Sequence, residues 1–423
     1  MELKGKCIIA FSHSNYLIKS AGVEKFIEEE SIVLKENDIH FIQVFPIIEC
    51  NKLLYKFGLN IQYVGINIDN KFAGIIEIDK LVSYILKIAH NNHFLLEGIQ
   101  IHHLHGWNIK KMISIIKELE LPVKLYIHDY DTVSPYIMCT DVLPKFKYNI
   151  LVVSSPEYKK CKYYKKGYDH YLSIKAFLNS ITKYIVQVYV PSENTLKIWS
   201  RYFPEFKDKV SIRPHLTFTN IKNSRIPNKI LRIAYIGSTA EHKGFNQWKK
   251  LVNQLYDLGF DFYYFGNSNY QDARIKKVNV DFHNKKLPSM TAQLKRNNID
   301  IVFMWSECQE TYAYTLYEAV AAGCFILTND HSGNITTEVE QNKYGKVFTH
   351  FEDCLKYLNE GNVILDVEKY VENIKIPKTL EVNRDLQSLT FKNVLKEHKK
   401  LKKYHPNYFL TFLYWLLRVK NEY

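Results

Sequence analysis

The chain has 423 residues, with 57 Lys and Arg against 44 Asp and Glu and a formal net charge of +13. A hydrophobic share of 46% and a charged share of 24% are those of a globular protein and exclude a disordered or collagen-like chain. At about 150 residues per domain the length suits two or three domains; the positive balance points to anionic partners without choosing among phosphates, nucleotides, acidic lipids and nucleic acid.

The N-terminus runs straight into a strand-like stretch with no signal-peptide pattern, and the seven scattered cysteines include no C-x-x-C. No stretch approaches the ~20 apolar residues of a membrane span. The expectation is a cytoplasmic protein, soluble or peripheral on the inner face of the cell membrane.

In chain order, Cys7–Phe11 reads as a buried strand. The small-residue turn Ser20-Ala21-Gly22 follows, then a helix with Phe26, Ile27, Val33 and Leu34 on one face. His40–Pro46, Ile99–His105, Val123–His128, Tyr184–Val190 and Val210–Arg213 read as further strands. Leu216–Lys229 loses periodicity and gains Asn, Thr, Ser and Pro, as an interdomain linker does. The alternation restarts with strands at Leu231–Ile236, Phe260–Phe265, Val278–Phe282, Ile299–Trp305 and Phe325–Thr328. Helices are expected at Phe245–Leu258, Ser289–Arg296 and Tyr312–Ala322.

Short apolar strands separated by helices imply parallel sheets covered on both faces. The predicted fold class is therefore α/β, two tandem Rossmann-like domains with a cleft between them. The first spans 1–216, a linker 217–230, and the second 231–395. A basic, aromatic helix at 396–423 is expected to pack on the first domain or on a membrane surface. Ligands of such sheets bind beyond the carboxyl ends of the strands.

The sharpest segment is Trp305–Gly323, WSECQETYAYTLYEAVAAG. Glu310 stands just before a helix and Glu318 two turns inside it, ~12 Å apart along the axis. That is too far for a paired acid and base, but it suits the two hydroxyl-bearing ends of a long ligand. Between them the helix N-terminus offers amides at Ala313–Thr315 to a phosphate. The alternative is an amphipathic helix with solvent-facing glutamates. A second segment, Tyr235-Ile236-Gly237-Ser238 followed by Glu241-His242-Lys243-Gly244-Phe245, sets a lysine immediately before a helix. It lacks the P-loop pattern, and Lys243 reads either as a phosphate ligand or as a solvated loop lysine.

The order strand–Gly–loop–Lys-Gly–helix, then the Glu310 to Glu318 segment, then Gly333-Asn334-Ile335, resembles the C-terminal domain of GT-B glycosyltransferases of family 4 and their E-x7-E signature. The resemblance covers Leu231–Phe348 well and the first half more loosely, through Gly22, Glu24 and His128-Asp129-Tyr130. It implies that Glu318 binds the ribose hydroxyls of a nucleotide and that Glu310 contacts the donor sugar. Ala313, Tyr314 and Thr315 would lie near the sugar and the distal phosphate. Lys243 would pair with the diphosphate beside Gly237, Gly22 would admit phosphates to the backbone, and His128 would face the donor sugar. Relatives commonly carry Gly-Arg where this chain has Gly237-Ser238, so half of a cation clamp is missing; His242, Arg213 or a first-domain lysine are candidate substitutes.

His102, His103 and His105 lie within four residues, but neighbouring strand residues face opposite ways, and no Cys or carboxylate completes a zinc pattern. No metal is expected. His105 reads as a substrate contact or a core histidine. Asp129-Tyr130-Asp131 matches the D-x-D of the GT-A architecture; in a chain with two Rossmann-like halves, Asp129 is read instead as orienting His128 or a loop amide on the acceptor side. The basic runs Lys159–Lys166 and Lys396–Lys403, the latter before the apolar tail Tyr408–Leu417, suit a solvated face or an anionic membrane. No nucleic-acid module accompanies the charge.

The expected activity is retaining, metal-independent hexosyl transfer from a nucleotide-diphosphate sugar to a glycan or lipid-linked acceptor, in cell-surface polysaccharide biosynthesis. No cofactor is expected beyond the donor. The alternatives are a catalytically weakened partner or glycan-binding subunit, and a GT-B nucleotide-sugar epimerase.

Overall fold

The computed structural model describes residues 5–19, 21–59, 61–134, 164–223, 225–280, 288–391 and 405–420. Residues 159–163 of the first basic run, the run Lys396–Lys403, Ser20 and residues 281–282 of the expected strand Val278–Phe282 lie outside them.

The first sheet contains β1 (Gly5–Phe11), β2 (Ile39–Pro46), β3 (Tyr63–Ile68), β4 (Lys71–Glu77), β5 (Phe94–Ile101), β6 (Val123–Tyr126), β7 (Ile185–Val190) and β8 (Val210–Ile212). Its spatial order is β4-β3-β2-β1-β5-β6-β7-β8. After the short strands β9 (Leu216–Thr217) and β10 (Asn220–Lys222), the second sheet is built from β11 (Arg232–Ile236), β12 (Asp261–Phe265), β13 (Ile275–Val278), β14 (Ile301–Met304), β15 (Phe325–Asn329) and β16 (Gly345–Phe348). Its order is β13-β12-β11-β14-β15-β16, parallel throughout. This is the doubly wound pattern, and the expected α/β class with two Rossmann-like domains holds.

Parallel strands covered on both faces read as continuous apolar runs for a physical reason: every side chain, up or down, meets a helix. Ile8–Phe11, Val123–Tyr126 and Ile301–Met304 are buried at every position. Each sheet has its own core, with Trp248 fully enclosed in the second and Trp199 in the first.

Three features depart from the sequence-based expectation. The first sheet is mixed, because β3 runs antiparallel to both β2 and β4. The expected linker is not structureless: β10 pairs with β17 (Lys375–Pro377) and β9 with β18 (Glu381–Val382). The chain also returns to the first sheet before residue 395, since Leu389 and Phe391 pack with Ile8, Ala10 and Phe41. The buried Lys124 ammonium donates to the carbonyls of Gln387, Ser388 and Thr390, tying this return in place.

The last helix, Tyr408–Lys420, lies along β4. Asn407 N–H donates to Ile75 O at 2.8 Å, and Ile75 N–H donates to Thr411 Oγ1 at 3.0 Å. The Tyr414 ring sits 5.0 Å from that of Phe72, while Tyr408, Phe409, Phe412 and Leu413 stay exposed. No described helix is long and apolar enough to cross a membrane.

Candidate functional site

Each sheet reverses its winding beside its first strand, β1 between β2 and β5, β11 between β12 and β14. Crevices open at such reversals, beyond the carboxyl ends of the strands. The described chain there is 12–19 and 21–22 in the first domain, 237–244 and 305–313 in the second.

In the second domain, Gly237 turns the chain out of β11 at φ 96°. Tyr235 Oη donates to the carbonyls of Ser238 (2.7 Å) and Lys243 (3.2 Å), closing the loop on itself. Gly244 then takes φ 83° at the start of the helix Phe245–Leu255, packed so closely that a Cβ there would overlap the Trp305 carbonyl. Gly333, at φ 65°, lies equally close to the backbone of Glu310, and Asn334 N–H donates to Glu310 O at 2.8 Å. These two glycines let separate loops interlock, which fixes where Lys243 and Glu310 stand.

The two side chains meet: Lys243 Nζ lies 2.6 Å from Glu310 Oε1, which also accepts from Ser306 Oγ at 2.8 Å. Burial alone would raise the Glu310 carboxyl, but Lys243 and Ser306 hold it below the ordinary range. Burial works to lower the Lys243 ammonium and Glu310 overcomes it, so its pKa is raised. The pair is ionised before any ligand arrives. The sequence reading gave the two separate partners; the geometry makes each the other's partner.

A cavity of about 540 Å³ opens above this pair. Gly237, Ser238, Lys243, Glu310, Ala313, Tyr314 and Thr315 line it from the second domain, and Ala21, Gly22 and Lys25 from the first. The helix Tyr314–Ala321 begins at Ala313 with no side-chain cap, and the helix Gly22–Glu36 begins at Ala21 likewise uncapped. Two helix N-termini thus face one cavity and both carry the partial positive charge of a helix start, although the Ala313 amide itself donates to Asn334 Oδ1 at 3.3 Å.

Glu318 is buried but is not part of the lining. Burial pushes its carboxyl up to about 7 against the opposing pull of Lys25, and its Oε2 has no partner among the described residues. His128, His105 and Asp129 are also outside the lining.

His128 belongs to a packed imidazole group. Its Nε2 is 3.1 Å from His102 Nδ1, its ring is stacked on that of His102, and His215 lies 5.6 Å away. Burial first, then the neighbouring His102, holds His128 well below its usual pKa, so it is neutral. Of the two roles expected for Asp129, the loop amide is the one seen: its Oδ1 accepts from the Asp131 amide at 2.9 Å, while Oδ2 pairs with His103 Nε2 at 3.0 Å and not with His128. Burial opposes the His103 charge, but Asp129 outweighs it and lifts the pKa to about 9. His105 is exposed. Among the described residues no cluster of three or more His, Cys, Asp or Glu is arranged to hold a metal.

Of the proposed substitutes for the missing arginine, Arg213 is enclosed, with Nη1 3.3 Å from Glu30 Oε1, and His242 is not in the lining. Lys25 is, and it is the lining residue that fits the third candidate, a first-domain lysine that the sequence left unnumbered; it follows Gly22 by three residues on the helix's first turn. Sequence reasoning missed the contacts between domains. Thr311 Oγ1 donates to His128 O, Ser192 Oγ donates to Thr311 O at 2.8 Å, and Tyr314 Oη donates to Glu29 Oε2 at 3.2 Å.

No family model and no curated protein matches the chain. Solved structures do. The sucrose-phosphate synthase of Thermosynechococcus elongatus superposes with TM-score 0.53 at 11% identity, over 87% of this chain and 92% of that one. A glycosyltransferase from Rickettsia africae gives 0.52 at 13%, over 88% and 92%. HepE of Anabaena, solved in complex with UDP-glucose, gives 0.51 at 11%, over 87% and 93%. The fold is GT-B. At such identities the likeness is one of architecture, and chemistry has to be argued from this chain's own side chains.

Proposed function

We propose that the protein is a retaining glycosyltransferase that moves a sugar from a nucleotide-diphosphate donor to a glycan or lipid-linked acceptor. The observation that carries this is the cavity shared by both domains, where Lys243, Glu310 and two uncapped helix N-termini converge at the reversal points of both sheets. A diphosphate suits the amides and Lys243, and Glu310 and Ser306 offer oxygens to a sugar hydroxyl. That HepE, of the same fold, was solved with UDP-glucose supports the ligand class.

Among the described residues no carboxylate stands alone in the lining as a covalent nucleophile, because Glu310 is held by Lys243. The proposed path is a loose, oxocarbenium-like displacement on one face of the sugar. The departing diphosphate takes the acceptor proton, and Lys243 and the amides of 314 and 315 stabilise the charge it gains. His128, neutral, would offer a hydrogen bond to the donor sugar, with His105 and Asp129 on the acceptor side. Contacts such as Thr311 to His128 O exclude water, which would otherwise hydrolyse the donor.

The exposed face Tyr408, Phe409, Phe412 and Leu413, with the net charge of +13, supports residence on an anionic membrane in the cytoplasm. A second reading, a partner subunit with weakened catalysis, is favoured by Ser238 in place of a cation and by the ligand-independent Lys243–Glu310 pair. Incubation with radiolabelled nucleotide sugars and membranes separates them. Donor-dependent label in glycan supports transfer; nucleotide binding without turnover supports the partner; isomerised donor indicates an epimerase and overturns both.

A further inference from the structure

We infer that Lys25 supplies the second cation of the diphosphate site, so that one lysine from each domain grips the phosphates. The inference rests on the cavity being a nucleoside-diphosphate site, as proposed above. Among the described residues the cavity lining holds two basic side chains, Lys25 and Lys243. The charge of Lys243 is already matched by Glu310 at 2.6 Å. That leaves a diphosphate short of compensating charge from the second-domain wall, and Lys25 is the other basic residue in the described lining. A diphosphate cannot be held where its charge is uncompensated.

The position of Lys25 fits the task. It lies on the first turn of the helix Gly22–Glu36, on the same helical end as Gly22, where an added Cβ would meet nothing within 4 Å. Phosphate oxygens therefore have open access to the first-turn amides, with the ammonium beside them. Lys25 Nζ now rests 4.1 Å above the ring of Tyr314, itself part of the lining. The lysine thus already reaches across to the second-domain wall.

A competing role is structural. Lys25 pulls electrostatically on the Glu29 and Glu318 carboxyls, and Tyr314 bonds Glu29. In that role Lys25 would keep the two walls together and never touch a ligand. The roles differ in one respect: a phosphate ligand distinguishes a nucleoside diphosphate from its nucleoside, and a wall strut does not. A clamp with one jaw in each domain also makes phosphate binding favour the closed arrangement, because only there do both lysines reach the same group.

The test is calorimetric titration of wild type, Lys25→Gln and Lys25→Arg with UDP, GDP, ADP and dTDP, with the matching nucleosides followed by ligand-observed NMR. Wild type is expected to bind at least one diphosphate. Lys25→Gln should lose about ten-fold in affinity for it with nucleoside binding unchanged, and Lys25→Arg should recover most of the loss. Diphosphate binding by Lys25→Gln at wild-type strength overturns the inference and leaves the proposed function standing. Equal weakening of diphosphate and nucleoside also overturns it, in favour of the strut. If wild type binds none of the four diphosphates, the reading of the cavity itself fails.

Discussion

In the second-domain wall of the cavity, Glu310 is ionised against Lys243 at 2.6 Å and Ser306 at 2.8 Å. In the first domain, outside the cavity lining, the imidazoles of His102, His128 and His215 are packed together and kept neutral by burial and by neighbouring positive groups. The second-domain wall carries fixed charges in a backbone frame locked by Gly244 and Gly333; the first domain packs neutral dipoles in a tight stack away from the lining. A charge paired in place needs no reorganisation when a leaving group gains charge nearby, which makes that wall the better candidate for transition-state stabilisation.

The contrast can be broken most forcefully at Lys243. Lys243→Ala should reduce turnover by roughly 10²–10³-fold with little change in acceptor KM; an unaltered rate in a transfer assay removes the charged wall from the mechanism. A smaller effect is expected at Glu318, whose carboxyl titrates at about 7. Above that pH it is a carboxylate able to accept from ribose hydroxyls, and below it the acceptor strength falls. Nucleotide affinity should therefore rise between pH 6 and 8. Glu318→Gln should weaken binding by about ten-fold at pH 8 and flatten the rise, measured by titration calorimetry.

A further effect concerns the stability of the first domain, away from the cavity lining. His103 keeps its proton to about pH 9 when folded, against an ordinary 6.5. Its pairing with Asp129 is therefore fully stabilising below about pH 6.5 and is lost as pH rises through about 9. Urea midpoints of wild type should fall over that window by an equivalent of about 3 kcal/mol. Asp129→Asn should show a shallower fall, with the remainder left to groups such as Glu30, raised to about 8 by burial.

Much of this arrangement was legible in the sequence because it is local. Ile301–Met304 is apolar without interruption, Gly237 and Gly244 punctuate loops, and the helix holding Glu318 starts within two residues of where its spacing suggests. The β3–β4 hairpin had a signal too: Tyr63–Ile68 and Lys71–Glu77 flank Asp69-Asn70, both at positive φ, a two-residue turn. The Lys243–Glu310 pair joins residues 67 positions apart, and Lys25 meets Tyr314 from another domain. Such meetings depend on how two sheets stand against each other, which no periodicity encodes.

Outermost among the described strands of the first sheet, β4 turns one side of its backbone away from the others, and Asn407 and Thr411 bond to that side. They act as a stopper on a surface that would otherwise recruit a strand from a neighbouring molecule. Cleavage after Lys400 would uncork it, turning a self-contained molecule into one that grows by adding copies of itself.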